Sequence, residues 1–245
     1  MLQNTLYDSA IVGIGRSGTT LVYNLLDSFY GQQRKKYPKL NYNPVGTGMA
    51  NSKSYLEYEH WDKNRIKFEP TKKIIICKRD LRDVFASGFR GVAIKNTRMY
   101  NDKNFLLSEI KNYPSNFKKY KECYGITETH LINEGNNMIK KGWDQWIEHV
   151  DYIFHYEKYM ENPHKIIKEL ADLINFKGDL NEAYQYTLNW KQRNPNHISN
   201  KGLSNSWDDI FSKAQEDVIL NNFKDWLYQQ NYITNEHYKN LCSSK

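Results

Sequence analysis

The stretch Ala10-Ile11-Val12-Gly13-Ile14-Gly15-Arg16-Ser17-Gly18-Thr19-Thr20 decides how this 245-residue chain folds. Residues 6–14 alternate little and are rich in Ala, Ile and Val, which suits a strand buried on both faces of a parallel sheet. A glycine-rich turn follows. From Thr19 onward Leu21, Val22, Leu25, Leu26 and Phe29 recur at helical spacing, and Gly31 offers a C-terminal stop. The order is strand, tight loop, helix. Glycines let such a loop bend so that successive N–H groups and a helix N-terminus face an anion.

Three anion-binding motifs compete for the loop. A nucleoside-triphosphate loop fits the spacing of Gly13 and Gly18, but Thr19 stands where a lysine must reach the terminal phosphates. Kinase or ATPase chemistry lacks its cation. A dinucleotide fingerprint matches Gly13, Gly15 and Gly18, yet the stretch that should bring an acid to the ribose reads Gln32-Gln33-Arg34-Lys35-Lys36. Only an NADP-type basic substitute stays open there. The third candidate is Arg16-Ser17-Gly18-Thr19-Thr20, which resembles the 5′-phosphosulfate loop of sulfotransferases that use 3′-phosphoadenosine 5′-phosphosulfate (PAPS). A planar guanidinium, hydroxyls and backbone donors suit a departing phosphate directly.

Two further strand-to-helix units extend the pattern. Lys72-Lys73-Ile74-Ile75-Ile76-Cys77-Lys78 reads as a short buried strand running into Arg79-Asp80-Leu81-Arg82-Asp83, whose acids suit a helix start. Residues 150–156 read as a third strand. Asn162-Pro163 follows as cap and first helical residue, with Ile166, Ile167, Leu170, Leu173 and Ile174 on one face. Alternating strands and helices predict an α/β protein with a central parallel sheet flanked by helices. Between about 91 and 141 the sequence is polar and weakly periodic, with Pro114 and Gly125 as breakers, and reads as an insertion or helical excursion on the acceptor side. No repeat or low-complexity linker interrupts the chain, so 1–245 reads as one domain.

The second unit carries an independent resemblance. Arg79 and Ser87, eight residues apart at a strand-to-helix junction, are similar to the family's 3′-phosphate segment, the arginine supplying charge and the serine a hydrogen bond. Taken alone, the charged run suits a solvated helix start with Arg82 and Asp83 exposed. Residues 155–163 resemble the family's Tyr-Glu-Asp segment, which implies that Tyr156 lies near the adenine. Asn200-Lys201-Gly202 with Trp207 resembles the loop that closes over the 3′-phosphate, with Asn200 where many members carry Arg. Lys201 and the Gly202 backbone carry over. Together these matches imply a P-loop nucleoside-triphosphatase-like sulfotransferase fold.

The acceptor must lose a proton, and a base contributes roughly 10²–10⁴-fold in rate. The resemblance implies a histidine upstream of the 3′-phosphate segment or a glutamate shortly after the first helix. Residues 30–43 hold no acid, so the first candidates are Glu57-Tyr58-Glu59-His60-Trp61. His60, whose ordinary pKa near 6.5 suits a base at neutral pH, is the expected base, with Glu59 next and Glu57 behind it. Arg16 is the expected stabiliser of the leaving phosphate.

Bulk properties narrow the classes. A net charge of +7 with dispersed Lys and Arg favours anionic ligands without singling out nucleic acid. Arg34-Lys35-Lys36 suits a solvated loop, and Trp143 and Trp146 suit helix packing. Cys77, Cys123 and Cys242 form no CxxC pair, and the histidines show no metal-ligand spacing. No apolar run reaches the ~20 residues of a membrane span, and no secretion signal opens the chain. The expected protein is cytoplasmic, metal-free, and moves a sulfuryl group from PAPS to a hydroxyl or amine of a small-molecule or glycan acceptor. A nucleotide kinase, an NADP-linked oxidoreductase and a non-catalytic polyanion or RNA binder are the competing classes.

Overall fold

Among the described residues three strands pair in parallel in the order β1-β2-β3: β1 (Asp8–Gly13), β2 (Lys72–Lys78) and β3 (Tyr152–His155). They belong to a computed structural model that describes residues 8–36, 72–88, 127–189, 207–208 and 211–243. Register puts Gly13 opposite Cys77, and Lys78 opposite His155. Ile74, Ile75, Ile76 and Cys77 are all nearly inaccessible, as a β-branched strand covered on both faces requires. The predicted α/β class with a parallel sheet is what the chain forms.

The chain divides into two compact units. The first comprises Met1–Arg79 and Met138–Gly202, the second Asp80–Asn137 and Leu203–Lys245. In the first, Ile11, Ile75, Cys77 and Phe154 of the sheet pack on α1 (Thr19–Lys36), and on the helices that follow β3. Those helices are α4 (Tyr156–Glu161), α5 (Pro163–Leu173) and α6 (Leu180–Leu188). Val22, Leu25, Leu26 and Phe29 of α1 meet Ile166, Ile167 and Leu170 of α5 in this core, each worth roughly 1.5–3 kcal/mol when fully buried. Asn162 caps α5 by accepting from Lys165 N–H at 3.1 Å, with Pro163 as the first helical residue, as predicted.

α1 does not stop at Gly31 but continues to Lys36. A side chain at Gly31 would meet open space, and the next residue is tied to a distant segment. The Gln32 amide donates to the Asp179 carbonyl at 2.8 Å and accepts from the Asp179 N–H at 2.8 Å. A glycine in a helix interior costs about 1 kcal/mol, which such a paired contact offsets. The third strand is also shorter than predicted, because Tyr156 already begins α4.

In the second unit, a helix over 81–88 (α2) joins α3 (Glu128–Ile139, which the unit boundary crosses), α7 (Lys213–Gln229) and α8 (Asn235–Ser243). Of the stretch from about 91 to 141, residues 127–141 are described, and most of them form α3. Phe223 packs 6.2 Å from the Phe85 ring and against Gly135. Arg82 and Asp83 are buried here rather than solvated. Arg82 pairs with Asp80 through Nη2 at 2.6 Å and Nε at 3.0 Å, and Asp80 Oδ1 also caps α2 by accepting the Arg82 N–H at 2.9 Å. The arginine then lies 4.4 Å over the Trp207 ring and donates to the Tyr232 carbonyl at 3.2 Å. Charged residues at a helix start can be core residues when each donor and acceptor finds a partner.

Candidate functional site

The loop after β1 is shaped by its own backbone. Ile14 O accepts from the Ser17 N–H at 3.2 Å and from the Ser17 hydroxyl, and Ser17 is wholly buried. Ser17 therefore closes the turn through both its N–H and its hydroxyl, and shapes the loop from within. Arg16 takes φ +68°, a left-handed conformation that costs a non-glycine residue on the order of 1 kcal/mol. Gly18 O accepts the Val22 N–H at 3.0 Å, so α1 opens at Thr19 and its first N–H groups are those of the loop. No acid occupies that first turn. The positive end of an 18-residue helix thus carries no acid of its own in its first turn and suits an anion.

Gly18 is required at its place. Its φ is +106°, and a Cβ there would stand 2.9 Å from Tyr156 Cδ2 and 3.0 Å from Phe154 Cε1. The loop rests directly on the aromatic end of β3.

Arg79, the first residue after β2, joins the three segments. Its guanidinium lies 4.3 Å from the centre of the Tyr156 ring, and its Nη1 donates to the Arg16 carbonyl at 3.4 Å. The predicted anchors thus emerge at the carboxyl ends of three adjacent parallel strands: the loop from β1, Arg79 from β2, Tyr156 from β3. Neighbouring strands are about 4.8 Å apart, so the whole arrangement spans roughly 10 Å across the sheet. The carboxyl edge of an open α/β sheet is where such folds hold ligands.

Two residues that the sequence reading left without a role stand beside this edge. Lys78 and His155 face each other in register at the ends of β2 and β3. Burial lowers the Lys78 amine, Glu157 opposing. Burial also depresses His155 to about 4, with Lys78 and Lys158 adding repulsion. Burial first, and the neighbouring ammonium groups second, disfavour the imidazolium. No periodicity signalled the pair, because register between strands is a tertiary property.

The structure brings together Arg16, Ser17, Gly18, Arg79 and Tyr156, with Thr19 and Thr20 opening α1. Ser87 is half-buried in the second turn of α2 and belongs to the other unit. His60, Glu59, Glu57, Lys201 and Gly202 lie outside the described residues. Cys77 and Cys242 are free thiols, the first buried and pushed well up by that burial, the second exposed. Trp143 and Trp146 are buried, in keeping with a packing role. Among the described residues no helix is long and apolar enough to cross a membrane.

A family model described as a sulfotransferase domain matches residues 6–242. No curated protein matches the chain. Among solved structures, a retinol dehydratase in complex with androsterone and the inactive cofactor PAP is similar at 19% identity and a TM-score of 0.46, over 89% of this chain and 81% of that one. A retinol dehydratase in a complex with retinol and PAP gives 18% and 0.44, over 92% and 83%. A sulfotransferase from Mycobacterium avium gives 10% and 0.43, over 92% and 77%.

Proposed function

Because the chain belongs to the sulfotransferase domain family, we propose that it takes a sulfuryl group from PAPS and delivers it to a hydroxyl or amine of a small-molecule or glycan acceptor. One observation carries this reading: Arg79 reaches the Arg16 carbonyl and the Tyr156 ring at once, so residues from three separate motifs meet at one sheet edge. Arg16 and the N–H groups at the start of α1 suit the 5′-phosphate that leaves. Arg79 suits the 3′-phosphate, with Ser87, Lys201 and Gly202 assigned to the same group by resemblance. Tyr156 offers the adenine a flat neighbour.

In the proposed reaction the acceptor oxygen or nitrogen attacks sulfur in line, the S–O bond to the 5′-phosphate breaks, and adenosine 3′,5′-bisphosphate (PAP) departs. His60 removes the acceptor proton, with Glu59 as the alternative base; both assignments rest on resemblance and position in the chain. Arg16 with the loop amides stabilises the charge that grows on the leaving phosphate, the term that usually dominates such transfers. The stretch from about 91 to 141 is assigned to the acceptor side. The reaction as written needs no metal ion.

Titration calorimetry and thermal shift test the reading. PAP should bind and raise the melting temperature, while ATP with Mg²⁺, NADPH and an oligonucleotide should do less. A chain that ignores PAP but responds to ATP with Mg²⁺ or to NADPH would overturn it. Transfer of labelled sulfate across a panel of phenols, alcohols, amines and glycans then identifies the acceptor class.

A further inference from the structure

The turn that precedes β3 lies against the backbone where β1 runs into its loop. Residues Lys140–Asp144 form a π-helical turn, a wide helical form that is rare and often found at functional sites. Its third residue, Gly142, is buried, and a Cβ built there would stand 2.9 Å from both Cα and N of Ile14 and 3.0 Å from the Gly13 carbonyl oxygen. All three are backbone atoms. A side-chain tip can swing aside from such a contact, whereas backbone can only be displaced as a whole. The turn is itself held: the Gln145 side-chain amide donates to the Lys141 carbonyl, the Trp146 N–H donates to Trp143 O at 2.9 Å, and Trp143 and Trp146 are buried.

The contact falls where the loop is anchored. Ile14 is the residue whose carbonyl accepts both Ser17 bonds, and Ser17 leads directly into Gly18 and the N-terminus of α1. Whatever moves Ile14 moves Ser17, and with it the Gly18 and Thr19 N–H groups that follow. We infer that Gly142 is a positioning residue for the donor-binding loop: lacking a side chain, it seats the π turn against the Gly13–Ile14 backbone and so sets where the loop amides meet the 5′-phosphate. This inference rests on the loop being the donor site. The π turn is then part of the site's support, although it lies more than 120 residues along the chain from the loop.

The test compares PAP with adenosine 3′-monophosphate, which lacks the phosphate that the loop would hold, on wild type, Gly142→Ala and Gly178→Ala. Gly178 is also crowded, a Cβ there standing 2.2 Å from Phe176 Cζ, but its neighbours are the side chains of Phe176 and Gln32 rather than the loop backbone. Gly142→Ala should weaken PAP by about ten-fold or more, since sub-ångström misplacement of binding groups is costly, and leave adenosine 3′-monophosphate within two-fold. Gly178→Ala should lower the melting temperature and leave the PAP dissociation constant unchanged. Unchanged PAP affinity in Gly142→Ala, or equal loss of both nucleotides, overturns the inference. Failure of the wild type to bind PAP removes the functional reading instead. Should Gly142→Ala not fold, hydrogen exchange on the wild type decides: added PAP should protect residues 140–144 together with 14–19, and protection confined to 14–19 overturns the proposal.

Discussion

Arg79 lies with its guanidinium 4.3 Å from the centre of the Tyr156 ring, although 77 positions separate the two residues in the chain. The contact ties the end of β2 to the start of α4, and the same guanidinium continues to the Arg16 carbonyl. A cation over an aromatic face contributes about 0.5–2 kcal/mol depending on desolvation, and Arg79 is almost fully buried.

Arg79→Ala should weaken PAP by about 1.5–3 kcal/mol, the range for a hydrogen bond to a charged group. Calorimetry on the folded variant measures this directly. Arg79→Lys should recover only part of the affinity, because an ammonium keeps the charge but loses the planar fork and the stacking geometry.

Tyr156→Phe should keep both the platform under Arg79 and the packing against Gly18, and so bind PAP within a few-fold of wild type. Tyr156→Ala removes both, and should lower PAP affinity and the melting temperature together. Equal behaviour of the two variants would deny the ring its role.

Gly18→Ala places a methyl group against Phe154 and Tyr156 at a φ of +106°, so a loss of about 1–3 kcal/mol in unfolding free energy is expected. Urea denaturation checks it. Loss of PAP binding should accompany the change, since the N-terminus of α1 must move.

Asp80→Ala would leave the Arg82 guanidinium buried with its bidentate partner removed, and should cost about 3–5 kcal/mol. The double variant Asp80→Ala/Arg82→Met should be less destabilised than the single one. A double-mutant cycle by chemical denaturation reads the coupling.

His155 makes stability depend on pH. Its folded value of about 4 lies below the ordinary 6.5, so between these values the unfolded chain binds a proton that the folded chain refuses. Stability should therefore be complete above about 6.5 and fall as the pH drops toward 4. The slope is bounded by the ~1.4 kcal/mol per pH unit of one proton, and partial exposure of the ring keeps it below that bound. Urea midpoints at pH 7 and 4.5 should differ more in wild type than in His155→Gln.

Legibility in the sequence varied with the range of the interactions. β1, the loop and the opening of α1 were readable because strand burial, glycine turns and helix starts are local preferences that successive residues express. Gly31 misled because the Gln32–Asp179 pair that carries α1 onward joins positions 147 apart. Arg82 and Asp83 looked solvated because composition reports charge but not partners; Asp80, Trp207 and the Tyr232 carbonyl, which accommodate Arg82, come from separate segments.

The sequence by itself determined which segments carry anion-binding chemistry, through glycine spacing, hydroxyls and two arginines at strand ends, all properties of a few neighbouring residues. Only the tertiary structure decided that Arg79 stacks on Tyr156, that Lys78 faces His155 and that Gly142 lies against Ile14. Those contacts follow from the parallel pairing of β1, β2 and β3 and from packing against the sheet, where the energy comes from residues distant in the chain.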